Sequence, residues 1–265
     1  MSELILETRD LAKHFGGLAA NQGISLRVPA RTFYTVIGPN GAGKTTLFNL
    51  ISGMHRPTGG QVFFRGEDIT GLPPHLIARR GVGRSFQITN LFPNLKVLEN
   101  VRLAAQARGR EGHKLWLHAD SLHGYREAAE RVLEEVGLAA KRHLPASGLS
   151  HGDKRKLEIG VALAAQPILL LLDEPTAGMS HEEVPSIIDL LRRLKERGQI
   201  TILMVEHKMD IVMSISDRVA VLAGGRVIAE GTPAEISANP AVQAAYLGGA
   251  AAEHRPASSP AGQED

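Results

Sequence analysis

Apolar residues recur along the chain with two periods, and the change from one to the other divides it. Ile24, Leu26 and Val28 alternate with polar neighbours, and the run FYTVIG at 33–38 is a short apolar stretch ending in glycine, so the N-terminal part reads as strands. GGQVFFRGEDI at 59–69 reads as a further strand after a turn. Between Gln87 and Leu149 the strand signals fade, and YREAAERVLEEVGL at 125–138 sets Ala129, Val132, Leu133 and Val136 at helical spacing, which predicts a helical insertion. ILLLLDEP at 168–175 is a fully apolar run suited to a strand covered on both faces of a parallel sheet. Val184, Ile187, Ile188, Leu191 and Leu194 then mark one face of a helix stopping at Gly198, and ITILMV at 200–205 is a second buried strand. VAVLAGGRVIAEG at 219–231 predicts a hairpin around Gly224 and Gly225. Thr232, Pro233 and Glu235 fit a helix start with a capping box and proline at its first position. From Ala250 the tail has too little apolar content to fold and is expected to be disordered.

Composition narrows the chemistry. The hydrophobic fraction of 43% is ample for a buried core, and the net charge is only +2 with scattered cations, so solvated helix faces explain them better than a nucleic-acid surface. The absence of cysteine excludes disulfides, thiolate metal sites and a cysteine nucleophile. No secretory signal is visible at the start, and VALAAQPILLLL is broken by Gln166 and Pro167 well short of the ~20 residues of a membrane helix. The expectation is a soluble, cytoplasmic protein whose contact with a membrane comes through a partner or its surface.

GPNGAGKTT at 38–46 satisfies G-x-x-x-x-G-K-[ST], and it lies between an apolar strand and the helical spacing of Leu47, Leu50 and Ile51. Gly38, Gly41 and Gly43 would let the backbone (Gly38, Pro39, Asn40, Gly41, Ala42, Gly43) fold around phosphates, with the helix end through Thr45 and Thr46 adding its dipole. Lys44 would reach the outer phosphates and the Thr45 hydroxyl would hold Mg²⁺. Asp173, ending a buried strand, would complete the magnesium shell, and Glu174 beside it is placed to polarise water.

LSHGD at 149–153 allows three readings: a hydrolytic Ser/His/Asp site, a helix cap, or half of a site completed elsewhere. Side chains so near one another in the chain diverge, which argues against a triad. Ser150 and Asp153 match a cap, yet Lys154, Arg155 and Lys156 then lie near a positive dipole end.

The ordered set GPNGAGKTT, RSFQ with Gln87, LSHGD, LLLLDEPTAGMS and VEHKMD with His207 resembles the ATP-binding cassette family of transport ATPases over residues 4 to 248. KHFGGLAA, LSHGDKRKLEIG, VEHKMDIVMSISDRV and the ending NPAVQAAYLG are similar to ATPase subunits of branched-chain amino-acid importers and their amide and urea relatives. The lipopolysaccharide exporter ATPase shares the YLG ending and is the main alternative within the family. The resemblance implies an α/β fold: a RecA-like P-loop NTPase core, an N-terminal antiparallel β subdomain, and a helical subdomain at about 88–165 inserted in one domain spanning 1–249. It also implies ATP and Mg²⁺ as cofactors, permease subunits as membrane partners, and a second ATPase subunit sandwiching the nucleotide head to tail. Nucleic acid is not an expected partner, and the location implied is the inner face of the cell membrane.

Residue by residue, the resemblance implies that Phe15 stacks on adenine, a strand-edge core phenylalanine being the alternative that explains it nearly as well. Gln87 would touch magnesium, and His207 would hydrogen-bond the terminal phosphate, a role shared in appearance with a surface or capping histidine. Ser150 and the Gly152 N–H would donate to the phosphate held by the other subunit. Leu91, Phe92 and Leu95 are either apolar anchors for the membrane partner or packing for the helical insertion. Two positions depart from the family pattern: Leu-Ser-Gly-Gly-Gln has become Leu-Ser-His-Gly-Asp, and Ser180 stands where an acidic residue is common.

Overall fold

Five consecutive buried residues in each of three short segments dictate the centre of the molecule. In the computed structural model, which describes residues 3–85, 91–108 and 120–252, these are β3 (Phe33–Ile37), β7 (Leu169–Asp173) and β8 (Thr201–Val205). With β6 (Val82–Ser85), β9 (Arg218–Ala223) and β10 (Arg226–Gly231) they form a six-stranded sheet in the order β10-β9-β3-β8-β7-β6. All neighbours are parallel except the β9–β10 hairpin, which turns at Gly224 and Gly225 as predicted. Apolar runs without alternation belong in such a sheet because helices cover both faces. Leu169 to Leu172 are all fully buried, each worth roughly 2–3 kcal/mol of transfer free energy.

A second, antiparallel sheet precedes the core in the order β2-β1-β4-β5, built from β1 (Leu4–Phe15), β2 (Leu18–Pro29), β4 (Gly59–Phe64) and the two-residue β5 (Glu67–Asp68). Here the alternation of Ile24, Leu26 and Val28 is realised: all three are buried while Ser25 and Arg27 face outward. Helix α1 (Lys44–Ile51) lies between the sheets, with Leu47, Phe48, Leu50 and Ile51 buried in a core shared by both. The short α2 (Pro74–Arg79) leads into β6.

Helices α3 (Val97–Arg108), α4 (Asp120–Glu135) and α5 (His151–Ala164) pack together between β6 and β7, which is the predicted helical insertion. Their seam holds Val101, Ala129, Leu133, Val136 and Leu157. The apolar anchors divide: Leu91 packs against this core, whereas Phe92 and Leu95 are exposed. Helix α6 (Val184–Glu196) buries the predicted face and stops before Gly198, whose φ is +59°. Helix α7 (Met209–Ile215) follows β8, and α8 (Pro233–Ser237) begins with the full capping box of Thr232 and Glu235 and Pro233 in its first turn.

One expectation is corrected at the C-terminus. Helix α9 (Pro240–Ala252) continues through Ala250, so the tail expected to be disordered from that residue is helical for its first three positions. Extending an existing helix by alanines costs little per residue, and composition alone does not see the helix already running. Residues 253–265, the rest of that tail, lie outside the described residues. Among the described residues no helix is long and apolar enough to cross a membrane.

Candidate functional site

The residues between β3 and α1 form a tight loop because other backbone crowds it. A Cβ on Gly38 would lie 2.1 Å from the Leu222 carbonyl oxygen of β9, and one on Gly43, at φ +95°, would lie 2.3 Å from that of Ala20. Only glycine fits either place. Ala42 is buried, Pro39 and Thr46 are half-buried, and Asn40, Gly41 and Thr45 are exposed at the rim. Lys44 folds back over the loop, its Nζ donating to the carbonyls of Gly38 at 2.7 Å and Pro39 at 3.0 Å. Burial pulls this ammonium below its ordinary pKa, and the nearby carboxylates of Glu174 and Asp173 oppose the shift.

Those two carboxylates stand at the C-terminal end of β7. Asp173 is fully buried; its Oδ2 is 3.4 Å from Arg84 Nη2 on β6, and its Oδ1 has no hydrogen-bond partner. Burial pushes its carboxyl above the ordinary range, Arg84 counteracts, and Glu174 adds to the rise. An orphaned buried carboxylate oxygen is a place for a cation. Among the described residues no three His, Cys, Asp or Glu side chains gather around a metal position, so an ion here would complete its shell with phosphate oxygens and a hydroxyl such as that of Thr45.

Glu174 is a non-glycine residue with φ +46°, a strained conformation that the chain holds from both sides. Its N–H donates to the Val205 carbonyl at 3.0 Å. Its carbonyl, with those of Asp173 and Pro175, accepts from the buried Arg155 guanidinium of α5, which also pairs with Glu158 at 2.7 Å. His207, half exposed beyond β8, brings Nδ1 to 3.9 Å from Glu174 Oε1 and 3.6 Å from Glu206 Oε1. Glu206 is fully buried: Oε1 takes the N–H groups of His207 at 2.9 Å and Lys208 at 3.3 Å, while Oε2 takes the Thr176 hydroxyl at 2.8 Å.

The structure therefore brings Lys44, Asp173, Glu174 and His207 together. Phe15 is exposed at the end of β1 with its ring edge-on to His55, 5.4 Å between centroids, so it is not a core residue. Ser150 caps α5 by accepting the Asp153 N–H at 3.2 Å, and Gly152 donates its N–H to Glu183. Gln87 lies outside the described residues.

Sequence reasoning missed Arg84, Arg155 and Glu206, which hold the predicted residues from behind. Arg155, between Lys154 and Lys156, reads from sequence as a cation facing a positive helix end; its guanidinium instead points inward to three carbonyls. Asp153 is likewise explained within the chain, as the partner of Lys141.

A family model described as "ABC transporter" matches residues 21–177, and one described as "Branched-chain amino acid ATP-binding cassette transporter" matches residues 226–252. The chain is 42% identical over 254 residues to the high-affinity branched-chain amino acid transport ATP-binding protein BraF of Pseudomonas aeruginosa. It is 40% identical over 253 residues to LivG of Escherichia coli, and in both cases 94% of this chain and 99% of the relative are covered. Among solved structures, the ADP conformation of MJ1267, an ATP-binding cassette of an ABC transporter, matches with a TM-score of 0.81 at 32% identity, covering 92% of this chain and 99% of that one. The dimeric post-hydrolysis state of the cassette MJ0796, bound to ADP and Pi, matches with a TM-score of 0.74 at 25% identity, covering 86% of this chain and 99% of that one.

Proposed function

The chain belongs to the ABC transporter family of ATP-binding cassettes, and from that premise we propose that it is the ATPase subunit of an importer for branched-chain or closely related amino acids. Residues 1–249 act as one ATPase domain, with its helical part at about 88–165, on the inner face of the cell membrane. ATP lies on the loop from Gly38 to Thr46, with Phe15 against the adenine. Lys44 leaves the carbonyls of its own loop for the outer phosphates. Thr45, Gln87 and Asp173 would hold Mg²⁺, which would neutralise charge on the phosphates. Glu174 accepts a proton from the attacking water, and His207 donates to the terminal phosphate.

Ser150 and Gly152 of a second ATPase subunit face that phosphate, so the nucleotide bridges two chains. ATP binds the closed pair better than the open one, and hydrolysis removes the bridge. Permease subunits receive the motion through the segment holding the exposed Phe92 and Leu95.

The observation that carries this reading is the convergence of Lys44, Asp173, Glu174 and His207 at the ends of β3, β7 and β8, in a chain that covers 99% of transport ATPases 40–42% identical to it. The test is copurification with its permease partners and reconstitution in vesicles. The expected outcome is ATP-dependent uptake of labelled leucine, isoleucine or valine, abolished by Glu174→Gln. Uptake of urea or an amide alone would move the substrate within the class, and ATPase activity indifferent to membrane partners would reject the transport role.

A further inference from the structure

The N-terminus of α5 already holds an anion. The Gly152 N–H, one of the two donors assigned above to a partner's phosphate, donates to Glu183 Oε1 of its own chain at 2.9 Å. Glu183 Oε2 accepts from the Ser180 N–H and hydroxyl, both at 3.3 Å. Glu183 is not the ordinary cap of α5, a role filled by Ser150, and it arrives from 31 residues away at the start of α6. Glycine leaves room for this close approach, since a Cβ on Gly152 would stand 2.9 Å from Oε1 and make the carboxylate shift. The hydrogen bonds from Gly152 and Ser180 hold the carboxyl below the usual carboxylate range.

We propose that Glu183 occupies the phosphate position of the second half-site and is displaced when a partner's ATP arrives. The inference rests on the two-chain reading above. A carboxylate and a phosphate oxygen cannot share one N–H, and at that separation they repel. As Glu183 leaves, Ser180 loses both of its hydrogen bonds to the carboxylate. Ser180 ends the segment DEPTAGMS that begins with Asp173 and Glu174, so the arrival of one chain's nucleotide is felt in the loop behind the other chain's catalytic carboxylate. Ser180 suits this arrangement: its hydroxyl donates to Glu183, where a carboxylate side chain would repel it.

The test is an ATP titration of turnover in the complex reconstituted with its membrane partners. Glu183→Ala should lower the half-saturating ATP concentration roughly three- to tenfold, as for a half-site left open in about a third to a tenth of molecules before the change. Glu183→Gln, which keeps the shape and a neutral acceptor, should lower it less. Binding of a fluorescent ATP analogue to the isolated full chain should be the same in both variants and the parent. An unchanged or raised half-saturation in Glu183→Ala overturns the proposal. Ser150→Ala in the same assay separates the two layers. Full turnover there rejects the two-chain site itself, whereas lost turnover there with no shift in Glu183→Ala rejects only the displaced carboxylate.

Discussion

The two ends of the proposed site are built in opposite ways. At the C-terminal end of β7, Asp173 and Glu174 are held by buried groups from three directions: Arg84 on β6, Arg155 on α5 and Val205 on β8. At the N-terminal end of α5, Ser150 and His151 are exposed and Gly152 rests on a carboxylate from a solvent-facing turn. One half is fixed before nucleotide comes; the other is provisional. A catalytic group must be held at its working geometry, whereas a surface that closes on a partner and reopens must exchange its bonds readily.

The strongest way to break this contrast is Glu174→Gln. Turnover should fall about 10²-fold or more while ATP stays bound, because water positioning is lost and phosphate binding is not; undiminished phosphate release would remove Glu174 from its role. Arg155→Met comes next. It strands Glu158 and frees three carbonyls, so denaturant unfolding should show a loss of about 3–5 kcal/mol; a loss under about 1 kcal/mol would mean that the fixed half is not held by this residue. On the provisional side, Ser150→Ala should cost only about 1 kcal/mol of stability as a lost cap. Its effect should appear in the assembled complex as reduced turnover, with ATP binding to the isolated chain unchanged. Lys141→Met should be smallest, within about 0.5 kcal/mol in a melting experiment, since its pair with Asp153 is at the surface.

The fixed half was legible where burial imposes a pattern. β7 and β8 are continuous apolar runs, and Asp173, which ends β7, could be placed at a strand end from sequence alone. The glycines of the loop before α1 were equally readable, because the spacing between an apolar strand and a helix demands a turn that only glycine fits at Gly38 and Gly43. What could not be read is which charges turn inward. Arg155 sits between two lysines in the chain, and nothing local distinguishes the one whose guanidinium meets the carbonyls of residues 173–175. Arg84 is hidden for the same reason: Asn49, Ser52 and Asp173, its partners, are distant in sequence. The contact of Gly152 with Glu183 joins two elements 31 residues apart, and no periodicity reports it. The exposed Phe15 and the split among Leu91, Phe92 and Leu95 show the converse limit, since apolar residues at an element's end follow tertiary context rather than period.

The left-handed backbone at Glu174 has a consequence for which side chains position 174 can accept. On conformational grounds glycine, asparagine and aspartate suit φ +46° better than glutamate. A mutant library scored by folding alone should therefore favour those three and rank β-branched residues last. Scored by ATP turnover, the same library should invert, because glycine and asparagine lack the base and aspartate is one methylene short. Position 174 would thus show stability and activity selecting in opposite directions at a single site, with glutamate kept for its reach.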